Sequence, residues 1–360
     1  MTHKILVIGP LHPGDLAASY ARAFERLGLE VVRFDSEVAL QRATRFRGNR
    51  LLRRALRSSA WNAVNREAAD FAERVRPSLI FAVKCSFFHP ETIRRIRKST
   101  GVPFVNHYPD HPYIGVRWKR GEASALRRDL LDVFREYSIV FMWEQSLVER
   151  LQRDGVEARL LPFASDPELF HPQAQSDEGF ACAQCNAAHE IAFVAHFSRH
   201  RCDEVSAIRA HQVAVWGSNW PRDWQTRSGQ HRVHAPIAGN EISKIYASAK
   251  ISLNVLNAEN LGGPNMRTFE ITASGGVMLA RYSPEQAAFF PEGEAALYYR
   301  SPEEIDGQLD LLLGDRGLRD RLRRNASRLA AAESYDRRAA TVLRECGLAV
   351  PSAANSRSRV

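Results

Sequence analysis

Residues 262–276 read GGPNMRTFEITASGG. A β-type run, ISLNVLN at 251–257, precedes them, and an apolar run, VMLA at 277–280, follows. The pattern predicts a strand, a Gly/Pro/Asn loop, a short helix over 268–274, a Gly-Gly stop and a second strand. A helix that opens at a strand end leaves backbone N–H groups free and turns the positive end of its dipole outward, which suits a phosphate. Arg267 stands at the entrance, where it can neutralise phosphate charge, and Glu270 falls in the first predicted turn, where it can bond sugar hydroxyls. Glycine and proline alone would only punctuate a strand–helix crossover. With Asn265, Arg267, Thr268 and Glu270 in one short loop–helix, the segment reads as a nucleotide site.

The same rhythm runs outward in both directions. Upstream, apolar strand patterns at 5–8, 30–34, 79–83, 102–106, 138–142 and 158–162 alternate with helical patterns at 15–27, 61–75, 90–98, 125–134 and 145–153. Residues 167–189 break it with Pro172, Gln173, Gln175, Ser176, Asp177 and Gly179 and no periodicity. The alternation resumes with strands at 191–195, 212–216, 250–255, 277–280 and 296–299, and helices at 202–210, 240–249, 268–274, 302–313 and 317–331. Strands that alternate with helices form parallel sheets covered on both faces. The expected fold class is therefore α/β: two Rossmann-like domains facing across a cleft, with ligands outside the carboxyl ends of the strands. The expected boundaries are 1–166 for an acceptor-side domain, 167–189 for the linker and 190–332 for a nucleotide-sugar-binding domain. A helix over 333–348 is expected to return to the N-terminal domain, and the polar tail, 351–360, to be disordered.

The segment NMRTFEITASGGVML, 265–279, resembles the signature of the CgeB-like (spore-protein-like) glycosyltransferases, a branch of the GT-B enzymes. Other stretches fit that family at the right distances: IAFV at 191–194 with SRHR at 198–201, VAVWGSNW at 213–220, YASAKISLN at 246–254 and SYDRR at 334–338. The resemblance covers residues 160–346 well and the first half loosely. It implies a GT-B fold and transfer of a sugar from a nucleotide sugar without a cofactor or a bound metal. It also implies that Arg199 and Arg201, after the first strand of the second half, are basic donor-site residues. Glu270 matches the carboxylate that bonds ribose hydroxyls in related retaining enzymes. Those enzymes carry a second acid eight positions upstream, where this chain has Gly262; Glu259 is out of register and Asn265 is a substitute for part of that role. Retention is the expected stereochemistry.

Composition bounds the rest. The chain has 360 residues, 44% hydrophobic and 25% charged, with a net charge of +9, as in a globular protein of two ordinary domains. No run approaches the ~20 apolar residues of a membrane span, and the first apolar run ends at Gly9-Pro10, too short for a signal peptide. A cytoplasmic protein is expected. The cysteines are Cys85, Cys182, Cys185, Cys202 and Cys346, too sparse and odd for a disulfide framework. Cys182 and Cys185 with His189 have metal-knuckle spacing, but adventitious thiols in a loop account for them, and no metal ligand set is assigned. Between 42 and 57, Arg42, Arg45, Arg47, Arg50, Arg53, Arg54 and Arg57 interleave with apolar residues. Such a basic amphipathic helix suits the anionic inner face of a membrane or an anionic acceptor; the competing reading is a surface helix packed on a sheet. Signatures of nucleic-acid binding are missing.

Glycosyl transfer needs the leaving diphosphate neutralised, the nucleotide held and the acceptor hydroxyl placed at the anomeric carbon. Gly217, Ser218, Asn219 and Trp220 end a strand and frame a base pocket, with Trp220 or Trp216 stacking; the competing reading puts these tryptophans in the core. In the first half, VNHYPDHP at 105–112 follows a strand. Asp110 and His107 are the candidate catalytic bases there. Gly9 and His12 also follow a strand end. The partners expected are a nucleotide sugar and a glycan, lipid or protein acceptor of a cell-surface glycoconjugate. The alternatives are a non-catalytic glycan- or nucleotide-binding protein and a nucleotide-sugar epimerase, which would need a cluster of acids that the chain lacks. Residues 9–14, GPLHPG, are not a dinucleotide fingerprint, which argues against an oxidoreductase.

Overall fold

The computed structural model describes residues 3–44, 57–113, 128–172, 189–221, 224, 231–257 and 262–351. The chain divides into two compact units, Met1–Pro162 together with Asp336–Val360, and Phe163–Tyr335.

The first unit holds strands β1 (Lys4–Gly9), β2 (Glu30–Asp35), β3 (Leu79–Val83), β4 (Phe104–His107), β5 (Ile139–Met142) and β6 (Ala158–Leu160). They form one sheet in the order β2-β1-β3-β4-β5-β6 with every neighbouring pair parallel. The helices are α1 (Leu16–Arg26), α2 (Ser36–Ala43), α3 (Arg57–Val75), α4 (Pro90–Thr100), α5 (Arg128–Glu136) and α6 (Gln145–Arg153). β3, β4 and β5 are buried along their whole length, as strands covered on both faces must be. α4 starts at Pro90, whose missing N–H costs nothing there, and stops at Gly101, which takes the left-handed conformation at φ 71°.

The second unit repeats the plan. Its strands are β7 (Ile191–Val194), β8 (Ala214–Trp216), β9 (Arg232–His234), β10 (Ile251–Asn254), β11 (Met278–Arg281) and β12 (Leu297–Tyr299). They form an all-parallel sheet in the order β12-β11-β10-β7-β8-β9. Its helices are α7 (Arg199–Ala207), α8 (Asn240–Ser248), α9 (Met266–Ala273), α10 (Pro284–Phe289), α11 (Ile305–Gly314) and α12 (Arg316–Ala330). Phe193, Val215, Leu253, Leu279 and Tyr299 from the sheet pack with Val205, Leu309, Leu312 and Leu322 from the helices in one core. The last helix, α13 (Tyr335–Glu345), is tied to the first unit. The Arg26 guanidinium forks onto the Asp336 carboxylate at 2.6–3.1 Å, and Arg338 Nε donates to the Pro162 carbonyl at 3.0 Å.

In the second sheet the chain leaves β7 for β8 and β9 on one side, then returns to lay β10, β11 and β12 on the other. The carboxyl ends of β7 and β10 therefore flank the switch point of the sheet, where open α/β sheets bind their ligands. In the first sheet the corresponding place lies between β1 and β3.

Several elements differ from the sequence expectation. β9, α2 and α10 were not expected; β9 is three residues, RVH, on the sheet edge, with no buried position. α7 begins at Arg199, not at 202, because the Ser198 side chain caps it by accepting from the Arg201 N–H. α9 begins at Met266, not at 268, because Asn265 is its cap. The break in the chain between the units falls after Pro162; most of the expected linker, 173–188, lies outside the described residues, as do Cys182, Cys185 and Glu259. Of the arginine-rich stretch, Arg42 lies in the last turn of α2 and pairs with Glu67 at 2.9 Å, and 45–56 lie outside the described residues.

Candidate functional site

Two arginines meet at the switch point of the second unit. Arg267 lies in the first turn of α9, and its Nε donates to the Val194 carbonyl, the last residue of β7, at 3.0 Å. Arg201 lies in the first turn of α7. Its Nε donates to the Val255 carbonyl, just past β10, at 3.3 Å, and its Nη1 to the His196 carbonyl at 3.2 Å. Each guanidinium is thus anchored on a carbonyl at a strand end, which fixes its plane.

Glu270 lies one turn behind Arg267 on α9 and accepts a hydrogen bond from Arg267 Nη1. The Glu270 side chain is 3% exposed and that of Arg267 26%, so the carboxylate is enclosed while the guanidinium keeps an open edge. Burial alone would lower the Arg267 pKa; Glu270 and Tyr246 outweigh it and raise it, so the cation persists. Tyr246 is fully buried in α8. Its hydroxyl is pushed up by burial, with Glu270 adding and Arg267 and Arg201 opposing.

His196 completes the group. Burial, then the Arg267 and Arg201 cations, hold its pKa below the ordinary imidazole value, so the ring is neutral at pH 7. Its Nδ1 lies 2.6 Å from Ser218 Oγ. The loops after β7 and β8 are laced together behind it: Ala195 N–H donates to the Trp216 carbonyl at 2.9 Å and Phe197 N–H to the Ser218 carbonyl at 3.0 Å. Ser198 Oγ donates to Asn257 Oδ1 at 3.0 Å, which ties in the loop after β10. Ser218 was expected in the frame of the base pocket and Ser198 only as part of the SRHR stretch, while His196 was not assigned to the donor site from sequence. The signal available was their place within a few residues of a strand end.

Other expected donor-site residues have structural duties. Asn265 Oδ1 caps α9 by accepting from the Thr268 N–H at 3.0 Å, and its Nδ2 donates to Asn254 Oδ1 at 2.9 Å. Thr268 is fully buried; its hydroxyl lies 2.5 Å from Gln286 Oε1 and accepts from Asn254 Nδ2 at 3.0 Å. These two side chains are committed to a polar network beneath α9, which corrects the expectation that they contact a ligand. Trp220 is corrected likewise. It is a core residue whose indole N–H donates to the Ala195 carbonyl at 2.9 Å, with its ring against Trp224 and Phe197. Trp216 is fully buried and stacks on His234. Gly217 is needed for packing, since a Cβ there would lie 1.8 Å from the Ala195 carbonyl oxygen. Arg199 is 87% exposed and pairs with Asp203 one turn on, at 3.0 Å, so it lies on the solvent face of α7 and apart from the Arg201–Arg267 group.

In the first unit, His107 ends β4 fully buried, edge-on to Tyr20 with ring centroids 5.5 Å apart. Burial first, then the Arg338 cation, lowers its pKa to about 3. An imidazole so placed is a poor base for an acceptor at neutral pH, which corrects its assignment. Asp110 is half-exposed, and its carboxylate lies 2.6 Å from Lys84 Nζ. Lys84 and Cys85, just past β3, both have positive φ, 63° and 47°, and the Lys84 carbonyl accepts from Asn106 Nδ2 at 3.3 Å. Among the described residues no three His, Cys, Asp or Glu side chains gather as a metal site.

The whole architecture matches solved structures along nearly all its length. Sucrose-phosphate synthase from Thermosynechococcus elongatus superposes with a TM-score of 0.70 at 13% identity, over 96% of this chain and 98% of that one. The fold is GT-B. HepE of Anabaena, solved with UDP-glucose, matches at a TM-score of 0.64 and 12% identity, over 95% of this chain and 100% of its own. A UDP-forming α,α-trehalose-phosphate synthase from Burkholderia xenovorans matches at 0.65 and 12%, over 97% and 100%. Residues 192–344, nearly the whole second GT-B unit and most of α13, match the family model described as Glycosyl transferase-like. No curated protein matches the sequence significantly. No helix among the described residues is long and apolar enough to cross a membrane.

Proposed function

We propose that the chain is a glycosyltransferase that moves a sugar from a nucleoside-diphosphate sugar to an acceptor hydroxyl. One observation carries this: Arg267 is anchored on the Val194 carbonyl that ends β7 and Arg201 on the Val255 carbonyl just past the adjacent β10, with Glu270 enclosed beside Arg267. Two fixed cations at a switch point suit a diphosphate. As the bond from the anomeric carbon to the diphosphate oxygen breaks, negative charge grows on that oxygen, and preorganised guanidinium N–H groups stabilise it without reorganising. In this proposal Glu270 accepts from ribose hydroxyls, and the neutral His196 ring hydrogen-bonds the sugar or phosphate. Asp110 takes the acceptor proton in this proposal; retention, the stereochemistry proposed, then requires the acceptor oxygen to bond the anomeric carbon on the same face from which the diphosphate leaves. The glycosyl transferase-like match over the second unit and the UDP-glucose complex of a neighbour with the same fold support the reading. So does the likeness of 265–279 to the CgeB-like signature.

The acceptor proposed is a cell-surface glycan or glycoconjugate, met in the cytoplasm or at the inner face of the membrane through residues 42–57. A thermal-shift screen against UDP, GDP, dTDP and CDP sugars tests the donor. A ligand at about 100 times its Kd adds ~2.7 kcal/mol of stability, and a null result with all four sinks the proposal. Transfer is expected to proceed undiminished in EDTA; full loss restored by Mn²⁺ would overturn the metal-independent form. Asp110→Asn is expected to bind donor normally and lose ~10²–10⁴-fold in kcat.

A further inference from the structure

The chain leaves β3 through a strained turn. Lys84 and Cys85 follow one another at φ 63° and 47°, in the left-handed region where a Cβ crowds the backbone. Such a conformation lasts only where the surroundings over-determine it. Here three strands do so. The Lys84 N–H donates to the carbonyl of His107, which ends β4, at 3.0 Å, and the Lys84 carbonyl accepts from Asn106 Nδ2 at 3.3 Å. The buried Cys85 thiol lies 3.2 Å from the Val83 carbonyl of β3 and 3.6 Å from the Ile8 carbonyl of β1. The turn therefore stands beside the switch point of the first sheet, where a ligand edge is expected. The side chain it carries there ends in an ammonium group, with Lys84 Nζ 2.6 Å from Asp110 Oδ2. Both side chains are about half-exposed, so the pair is open to a ligand. An ion pair that open adds little stability and does not offset the strain. Strain kept at a ligand edge is a mark of function.

We propose that Lys84 is a positioning residue for Asp110: its ammonium holds Oδ2 and leaves Oδ1 to take the proton of the acceptor hydroxyl. This rests on the reading of Asp110 as the proton acceptor. A carboxylate on a half-exposed loop turns about its side-chain bonds and spends part of its time pointed at solvent. Fixing one oxygen keeps the other aligned with the reacting hydroxyl, and misplacement by about 1 Å can cost ~10²-fold in rate. The lysine is itself steadied by a backbone tied to β1, β3 and β4. The base is thereby oriented by the sheet and not by its own loop alone. Lys84 keeps its protons throughout: the acceptor proton goes to Asp110, and the diphosphate leaves with the bonding pair.

Release of nucleoside diphosphate from the donor that the thermal-shift screen selects, with water and with free glucose as acceptors, tests this on the full chain. Lys84→Met is expected to bind that donor with an unchanged Kd and to lose at least about tenfold in kcat. Lys84→Arg, which keeps the cation, is expected to restore most of the rate. In an Asp110→Asn background Lys84→Met is expected to have no further effect, because a positioning residue acts only through the group it positions. An unchanged kcat in Lys84→Met overturns the proposal, and so does an equal loss in both backgrounds. Lys84→Gly removes the same ammonium and relieves the left-handed backbone, so it is expected to melt above Lys84→Met. Equal or lower melting overturns the strain from which the proposal starts. A wild type that binds no donor, or binds one and releases no diphosphate, would sink the transferase reading itself, whereas a wild type that turns over no faster than Lys84→Met sinks only the role of Lys84.

Discussion

At the scale of single residues, the site depends on two positions that cannot be exchanged conservatively. Arg267 donates to a main-chain carbonyl and to a carboxylate with different nitrogens of one planar group, which a lysine cannot reproduce. Arg267→Ala is expected to weaken nucleoside-diphosphate binding by ~1.5–3 kcal/mol, measured by calorimetry. Unaltered affinity would show that the diphosphate binds elsewhere. Gly217 is constrained from the opposite side, because any Cβ would overlap the Ala195 carbonyl, which also receives the Trp220 indole. Gly217→Ala is expected to destabilise the second unit by on the order of 4 kcal/mol, the range of severe steric conflict. A melting temperature within a degree of wild type would contradict that packing. Trp220 shows why such a residue misleads: a large aromatic near a strand end serves either the core or a ligand, and only the direction of its N–H decides.

At the scale of elements, the helix α9 carries the site, and its first turn is set by a polar network and not by its sequence propensity. Asn265 caps the helix and holds Asn254; Thr268 holds Asn254 and Gln286. Removing the cap costs ~1 kcal/mol, and leaving the buried Asn254 oxygen without its donor adds ~1–3 kcal/mol. Asn265→Ala is therefore expected to lower stability by ~2–4 kcal/mol and to weaken nucleotide binding through misplacement of Arg267. Chemical unfolding with a parallel nucleotide titration checks both, and normal stability with lost binding would mean that Asn265 touches the ligand directly. The predicted helix start at 268 was late because the cap was taken for a loop residue. Asparagine caps helices and binds ligands with the same amide group.

At the scale of the molecule, burial of imidazoles links stability to pH. His107, His111, His189, His196, His231 and His234 are all held below their ordinary pKa, each first by burial. The folded chain therefore binds fewer protons than the unfolded chain below the ordinary imidazole value of about 6.5. Stability is complete above that pH and falls as the pH drops. For His107 the window runs from 6.5 down to about 3, and within it that group costs up to ~1.4 kcal/mol per pH unit. Urea midpoints at pH 7, 6 and 5 are expected to fall, and His107→Phe, which keeps a ring against Tyr20, to flatten the decline. Parallel curves for the two proteins would show that His107 does not titrate on unfolding.

Two parallel sheets, most of their strands and the segment that carries the site were readable from residue order. Alternating apolar runs and helical periods are local signals, and β3, buried along its whole length, is apolar throughout. Arg267 and Glu270 were legible for a related reason: they belong to one turn of one helix, so three positions of sequence separation bring them together. The tertiary structure decided what no local pattern holds. β9 pairs at an edge where burial imposes no pattern, and so it left no trace in the residue order. Arg201 and Arg267 are 66 positions apart, and only the order β10-β7 at the centre of the sheet makes them neighbours. Whether a polar or aromatic group near a strand end faces a ligand or the interior depends on the backbone carbonyls around it. For Asn265, Thr268, Trp220 and His107 those surroundings come from distant segments of the chain.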